Sequence, residues 1–350
     1  MTTRIFLAFV VAASMTCGGS SSPPPASGAA TGAQTTITGA GATFPYPLYS
    51  KWFDEYHKLH PDVQINYQSI GSGGGIRQVI AGTVDFGATD GPMTDEQLAQ
   101  SKVKILHFPT VLGAVVATYN VAGVTQDLKF TPAALAGIFL GTIKQWNDPA
   151  IAAANAGVTL PPTDIIVVHR SDGSGTTYVW TDYLSKVSER WKSQVGRNTS
   201  VNWPVGLGGK GNEGVSGLVK QTPNSIGYVE LVYAVQNKLA YAAVQNAAGT
   251  FVRADLASVT SAAASATMPD DFRVSITNPA GSDAYPIASF TWLLVPEQLP
   301  DARKGRAIVD FLRWMLTDGQ ALAAPLSYAP LPKPVVAKEQ QAIAQVRVAS

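Results

Sequence analysis

The chain has 350 residues, 46% hydrophobic and only 14% charged, which is ample material for one or two sizeable cores and unlike a disordered protein. Lys and Arg number 25 against 24 Asp and Glu, a net charge of +1 with no basic run, which argues against nucleic acid as a partner. The single cysteine, Cys17, excludes an intramolecular disulfide and a cysteine metal cluster.

At the N-terminus, Arg4 precedes a short apolar run and a stretch of small residues. A charged start with an apolar run too short to span a bilayer reads as a signal peptide over residues 1–16. Cys17 follows directly, where a bacterial lipoprotein carries its lipid. Ser14-Met15-Thr16-Cys17 matches a lipobox only loosely, since Ser14 and Thr16 replace the usual aliphatic and small residues. The reading is a lipid anchor at Cys17, weighed against a chance cysteine beside a cleavage site. Residues 17–34 are almost all Gly, Ser, Pro, Ala and Thr, a flexible tether. No other stretch reaches ~18 apolar residues.

The folded part starts near Thr35, with a strand around Ile37. Leu48, Trp52, Tyr56 and Leu59 then recur at helical spacing. Residues 63–67 alternate as a strand, the glycine run 71–75 follows, and a helix carries Ile76, Val79 and Ile80. Residues 84–90 read as a strand ending in a loop, and Thr94 to Gln97 as a capping-box helix start. Strands are expected at 105–108 and 112–119, helices at 131–140 and 149–155, and a buried strand at 165–168. An amphipathic helix is expected over 178–191, a glycine-rich loop over 206–211 and a helix over 214–220. Strands at 226–231 and 239–244, a helix at 254–266, a strand at 287–295 and a helix at 303–316 complete an α/β alternation without internal repeats.

Three Gly/Ser/Thr-rich loops are each placed to open a helix: Thr43-Phe44-Pro45, Ser72-Gly73-Gly74-Gly75 and Ser174-Gly175-Thr176. A helix N-terminus offers unpaired N–H groups and partial positive charge, glycine allows close approach, and hydroxyls add short donors. Each loop alone reads as a plain cap. Together with Arg170, whose guanidinium fork matches a tetrahedral oxyanion, they point to an anion pocket. Asp172 can pair with Arg170. Asp90, in Asp90-Gly91-Pro92, reads from spacing alone as a turn residue. Beside an anion, an ionised aspartate only accepts hydrogen bonds, so it would favour phosphate, which carries a proton, over sulfate, which does not.

The runs Thr38-Gly39-Ala40-Gly41-Ala42-Thr43-Phe44-Pro45, Ile70-Gly71-Ser72-Gly73-Gly74-Gly75, Val84-Asp85-Phe86-Gly87-Ala88-Thr89-Asp90 and Arg170-Ser171-Asp172-Gly173-Ser174-Gly175-Thr176 resemble the phosphate-binding proteins of Pst-type ABC transporters, a branch of the type II periplasmic binding protein superfamily. The resemblance continues through Trp203-Pro204-Val205-Gly206-Leu207-Gly208-Gly209-Lys210-Gly211-Asn212 and Ile226-Gly227-Tyr228-Val229-Glu230, and spans residues 36–334. It implies two α/β lobes with a mixed sheet in each, joined by crossover strands, and a ligand cleft between them. Lobe 1 would hold residues 35–119 and 289–350, lobe 2 residues 120–288. It implies that Thr43 and Phe44 (by backbone N–H), Ser72, Asp90, Arg170, Ser174, Gly175 and Thr176 contact inorganic phosphate, with Asp172 behind Arg170. Gly73 stands where relatives often carry a second serine. The expected protein is a non-enzymatic, cofactor-free, metal-free extracytoplasmic monomer that delivers phosphate to a membrane permease and touches the membrane through its lipid alone.

Competing readings are a binder of sulfate or molybdate, a surface adhesion or structural lipoprotein, and a serine-dependent phosphate-ester hydrolase. Asp90 speaks against a fully deprotonated ligand, and no sequence feature favours the adhesion role. Gly173-Ser174-Gly175 lacks the outer glycines of the nucleophile elbow, because Asp172 and Thr176 stand there. His169 reads as a strand-end residue facing away from Arg170. His57 and His60 read as surface residues near a helix end rather than a zinc pair, as no third ligand is apparent. Gly206 to Gly211 matches G-x-G-x-x-G but follows Trp203-Pro204 rather than a buried strand, so dinucleotide binding is rejected in favour of a lobe-edge loop.

Overall fold

The computed structural model describes residues 34–264 and 266–350. The expected leader, the Cys17 anchor and all of the tether but Gln34 lie outside the described residues.

Among the described residues the main sheet has nine strands: β1 (Thr35–Gly41), β2 (Val63–Ser69), β3 (Phe86–Thr89), β4 (Ile105–Asn120), β5 (Ile166–Arg170), β6 (Leu207–Gly209), β7 (Ser225–Glu230), β8 (Ala240–Tyr241) and β9 (Ala288–Pro296). Their order is β2-β1-β3-β9-β4-β7-β5-β6, with β8 pairing β4 off this path. β1 runs parallel to β2 and β3, and β5 runs parallel to β6 and β7. β9 is antiparallel to β3 and to β4. The 16-residue β4 changes partner midway: Ile105 to Ala114 pair with β9, and Val115 to Asn120 pair with β7. All but the last residue of β4 are buried, as a strand covered on both faces requires.

Helices fill the crossovers. Helix α1 (Tyr46–Leu59) buries Leu48, Tyr49, Trp52, Phe53 and Tyr56 on one face, with Pro in its first turn. Helix α2 (Ser72–Ala81) packs on β1 and β3 and stops at Gly82, a left-handed glycine cap. Helix α3 (Gly175–Val187) and helix α4 (Gly211–Gln221) pack on β7. Tyr49, Trp52, Phe53, Tyr67 and Phe86 pack ring on ring beside β1 and β2. Trp180 stacks on Tyr228 at 5.1 Å beside β7, with Trp203 and Phe139 against the same Tyr228 ring. Smaller sheets join Lys129–Phe130, Ala243–Gln245 and Phe251–Val252, and Gln298–Leu299 with Arg347–Val348.

Several expected elements differ in detail. The two strands expected around Pro109 are one strand, because Pro109 faces the register slip between Thr291 and Trp292, where a ladder donor is not needed. The glycines Gly73 to Gly75 are not a loop before a helix but the first turn of α2. The helix expected over 178–191 breaks at Ser188, whose extended backbone and side chain, accepting from Trp191 N at 3.2 Å, cap a new helix, Glu189–Gln194. The glycine-rich stretch at 206–211 is not a lobe-edge loop: it forms β6, pairs with β5 and opens α4. Helices Leu231–Gln236 and Lys333–Ala342 were not expected.

Candidate functional site

The loops singled out in sequence all leave C-terminal ends of parallel strands, the end where open α/β sheets bind ligands. Thr43 and Phe44 follow β1, Ser72 opens α2 after β2, Asp90 follows β3, and Arg170 ends β5. Ser174 caps α3, and Gly175 and Thr176 form its first turn. All eight residues are buried. Direct contacts connect the loops. Gly73 N donates to Gly173 O at 2.9 Å, joining the β2–α2 loop to the β5–α3 loop. A Cβ placed on Gly175 would collide with Ser72 Oγ and lie 2.5 Å from Asp90 Oδ2, so only glycine lets these two loops meet. Gly71, at φ +86°, leaves the same kind of room for the Asp172 carboxylate.

The site is rich in donors. Among the described residues, the N–H groups of Thr43, Phe44, Gly175 and Thr176 have no backbone or side-chain acceptor. Ser174 Oγ accepts from Thr177 N at 3.0 Å, which leaves its proton free to donate. Ser72 Oγ accepts from Asp90 N at 3.2 Å.

Arg170 carries the cation. Its Nε and Nη2 donate to Asp172 Oδ1 and Oδ2 at 2.8 and 2.6 Å, a bidentate pair. Its Nη1 reaches Thr176 Oγ1 at 3.3 Å. Burial pushes the Asp172 carboxyl up, but the Arg170 hydrogen bonds and charge, with Gly211 N donating at 3.0 Å, outweigh it and hold the group below the ordinary value. Asp172 thus aims one edge of the guanidinium and leaves the other for the site.

Asp90 stands among donors yet is strained electrostatically. Burial pushes its carboxyl up to about 7, against the Thr291 Oγ1 hydrogen bond at 2.8 Å, the Arg170 charge and Ser72. The Ser72 hydroxyl faces Oδ2 at 3.4 Å. The turn reading of Asp90 also holds in part, since Thr89 Oγ1 closes a tight turn onto Gly91 O.

Sequence reasoning missed three residues here. Thr291, on β9, fixes the Asp90 carboxylate from 201 residues away. Tyr233 OH donates to Thr43 O at 2.6 Å and lies 3.1 Å from Glu213 Oε1. Asn212 touches both Thr43 and Thr176. Asn212 lay within a quoted motif, the only signal available for it. The histidines stay outside the site. His169 stacks on Trp203 at 4.8 Å, His57 Nδ1 bonds Val63 O, His60 packs on Tyr56, and buried His107 accepts from Met93 N at 3.1 Å. No imidazole meets Ser174, and among the described residues no group of three His, Cys, Asp or Glu is placed to hold a metal. Among the described residues no helix is long and apolar enough to cross a membrane.

Residues 26–319 match the PBP superfamily domain. The chain is 49% identical to the phosphate-binding protein PstS of Pasteurella multocida over 308 residues, covering 87% of this chain and 89% of that protein. It is 49% identical to the phosphate-binding protein PstS of Xylella fastidiosa over 303 residues, covering 86% and 82%. A crystal structure of the phosphate-binding protein from Stenotrophomonas maltophilia superposes with a TM-score of 0.69 at 18% identity, covering 88% of this chain and 93% of that one. The chain belongs to the PBP superfamily and, within it, to the PstS family of phosphate-binding proteins.

Proposed function

We propose that this protein captures inorganic phosphate outside the cytoplasmic membrane and hands it to the permease of a phosphate ABC transporter. It works as a monomer, held to the membrane by a lipid on Cys17. The two lobes are residues 35–119 with 289–350, and residues 120–288, with the site in the cleft between them. Thr43, Phe44, Ser72, Ser174, Gly175 and Thr176 donate to the phosphate oxygens, and Arg170, aimed by Asp172, supplies the charge. The relatives' names support the ligand, and the buried Arg170–Asp172 fork beside four unpaired backbone N–H groups supports the site.

The observation that carries the specificity is the buried carboxyl of Asp90 in a site otherwise made of donors. An ionised Asp90 accepts the proton of a hydrogen phosphate. It meets sulfate as charge on charge with no bond to offset the repulsion. Calorimetric titration of the chain from Gln34, stripped of bound ligand, tests this at pH 8. One-to-one phosphate binding that excess sulfate does not displace is expected. Sulfate or molybdate binding in place of phosphate refutes the specificity, and no oxyanion binding refutes the function. For the anchor, Cys17→Ala is expected to release the protein from membranes, and continued membrane association refutes the lipid reading.

A further inference from the structure

Two hydroxyls of the site and one backbone N–H converge on one buried carboxamide. Asn212, in the first turn of α4, is fully buried. The backbone N–H of Glu230 meets its Oδ1 at 3.0 Å. An N–H only donates, so this contact fixes which end of the amide is oxygen. Nδ2 then faces Thr43 Oγ1 at 2.8 Å and Thr176 Oγ1 at 3.1 Å, one hydrogen for each. Each threonine oxygen receives a second N–H. Thr43 Oγ1 takes the backbone N–H of Asn212 at 3.3 Å, and Thr176 Oγ1 takes Arg170 Nη1 at 3.3 Å.

A hydroxyl has two lone pairs and one proton. In both threonines both lone pairs are engaged, and neither hydroxyl donates to a described residue. We propose that Asn212 is a specificity-determining positioning residue, which locks the Thr43 and Thr176 hydroxyls as outward donors so that the site presents them only to a ligand oxygen that can accept. The inference rests on the phosphate reading and deepens it. A phosphate P–OH turned towards either threonine would set proton against proton. The two hydroxyls therefore exclude that orientation and leave Asp90 as the acceptor for the ligand's proton. Ser72 and Ser174 each have only one lone pair taken by a backbone N–H, so they lack this constraint.

The test is a mutant cycle read by phosphate titration at pH 8. Asn212→Ala frees the hydroxyls to rotate and is expected to weaken binding about tenfold, ~1.4 kcal/mol. Thr43→Val with Thr176→Val removes the hydroxyls. In that background Asn212→Ala is expected to change affinity less than twofold, because there is nothing left to orient. An equal tenfold loss in both backgrounds, or no loss with the threonines present, overturns the proposal, because a purely structural asparagine gives additivity. Should Asn212→Ala fold poorly, Asn212→Asp keeps the shape and the acceptor for Glu230 N while turning the donor into an acceptor that captures both hydroxyl protons. Its loss is expected to be at least tenfold larger with the threonines than without them, and an equal loss overturns the proposal. A wild-type chain that fails to bind phosphate overturns both readings. A wild type that binds while either cycle is additive overturns only the role of Asn212.

Discussion

Replacing Asp90 with asparagine keeps the shape of the side chain and the acceptor for Thr291 Oγ1, but removes a buried charge. The carboxyl titrates at about 7, against 3.8 in the open, and burial is the main cause. At ~1.4 kcal/mol per pH unit, that separation amounts to ~4 kcal/mol. A carboxyl raised on folding contributes stability that is fully present below pH ~4 and is lost as the pH climbs through about 7. The ligand-free wild type is therefore weakened at pH 8, and Asp90→Asn is not. Urea unfolding of both ligand-free proteins checks this. The variant should be more stable by ~4 kcal/mol at pH 8 and by under ~2 kcal/mol at pH 5. An advantage of the same size at both pH values, or none at pH 8, would refute the idea that Asp90 is held as a strained carboxylate.

Three further outcomes follow from the same structure. Lowering the pH to 5 protonates Asp90 and turns it into a donor, so sulfate should begin to compete with phosphate there while failing to do so at pH 8; equal exclusion at both pH values would break the proton argument. Gly175→Ala places a methyl group against buried Ser72 Oγ and Asp90 Oδ2, where the loops meet, and should both weaken phosphate binding at least ~100-fold and lower the melting temperature, since an overpacked buried contact costs ~1–3 kcal/mol. Unchanged affinity in calorimetry would refute the idea that the close approach at Gly175 holds the site together. Glu339 is buried with both carboxylate oxygens unpaired, and burial pushes its carboxyl well up. Glu339→Gln should therefore stabilise the protein more at pH 8 than at pH 5, and melting curves showing an equal gap would count against that reading.

What could be read from the sequence was local. Helix α1 announced itself through Leu48, Trp52 and Tyr56 at helical spacing, and the site loops through Gly, Ser and Thr standing where strands end and helices begin. Arg170 and Asp172 are two residues apart, so their pairing was visible as well. Asp90 was not placed by spacing, because a turn explains it better; the role proposed for it came from the family resemblance. The residues that were missed act over long separations. Thr291 and Tyr233 reach Asp90 and Thr43 only after the chain has folded back on itself, and no periodic signal marks them. The helix Lys333–Ala342 was hidden because Glu339 occupies one of its core positions, which breaks the apolar pattern that would have revealed it.

The change of partner along β4 also sets an order of assembly. Its second half finds β7 once the chain has reached Glu230, and β5 and β6 have been made by then. Its first half has no neighbour in the sheet until Ala288 to Pro296 are made, and β3 waits on its open side for the same strand. A polypeptide emerging N-terminus first thus completes the later half of its sheet before the earlier one, and the closing step joins distant segments, which is slow. A chain halted between residues 245 and 287 would carry a finished β4–β7 half beside an unpaired β3 edge, the kind of edge that recruits other chains. Brief proteolysis of such halted chains should spare residues 115–230 and cut within 35–114, and protection in the reverse order would rule this sequence of events out.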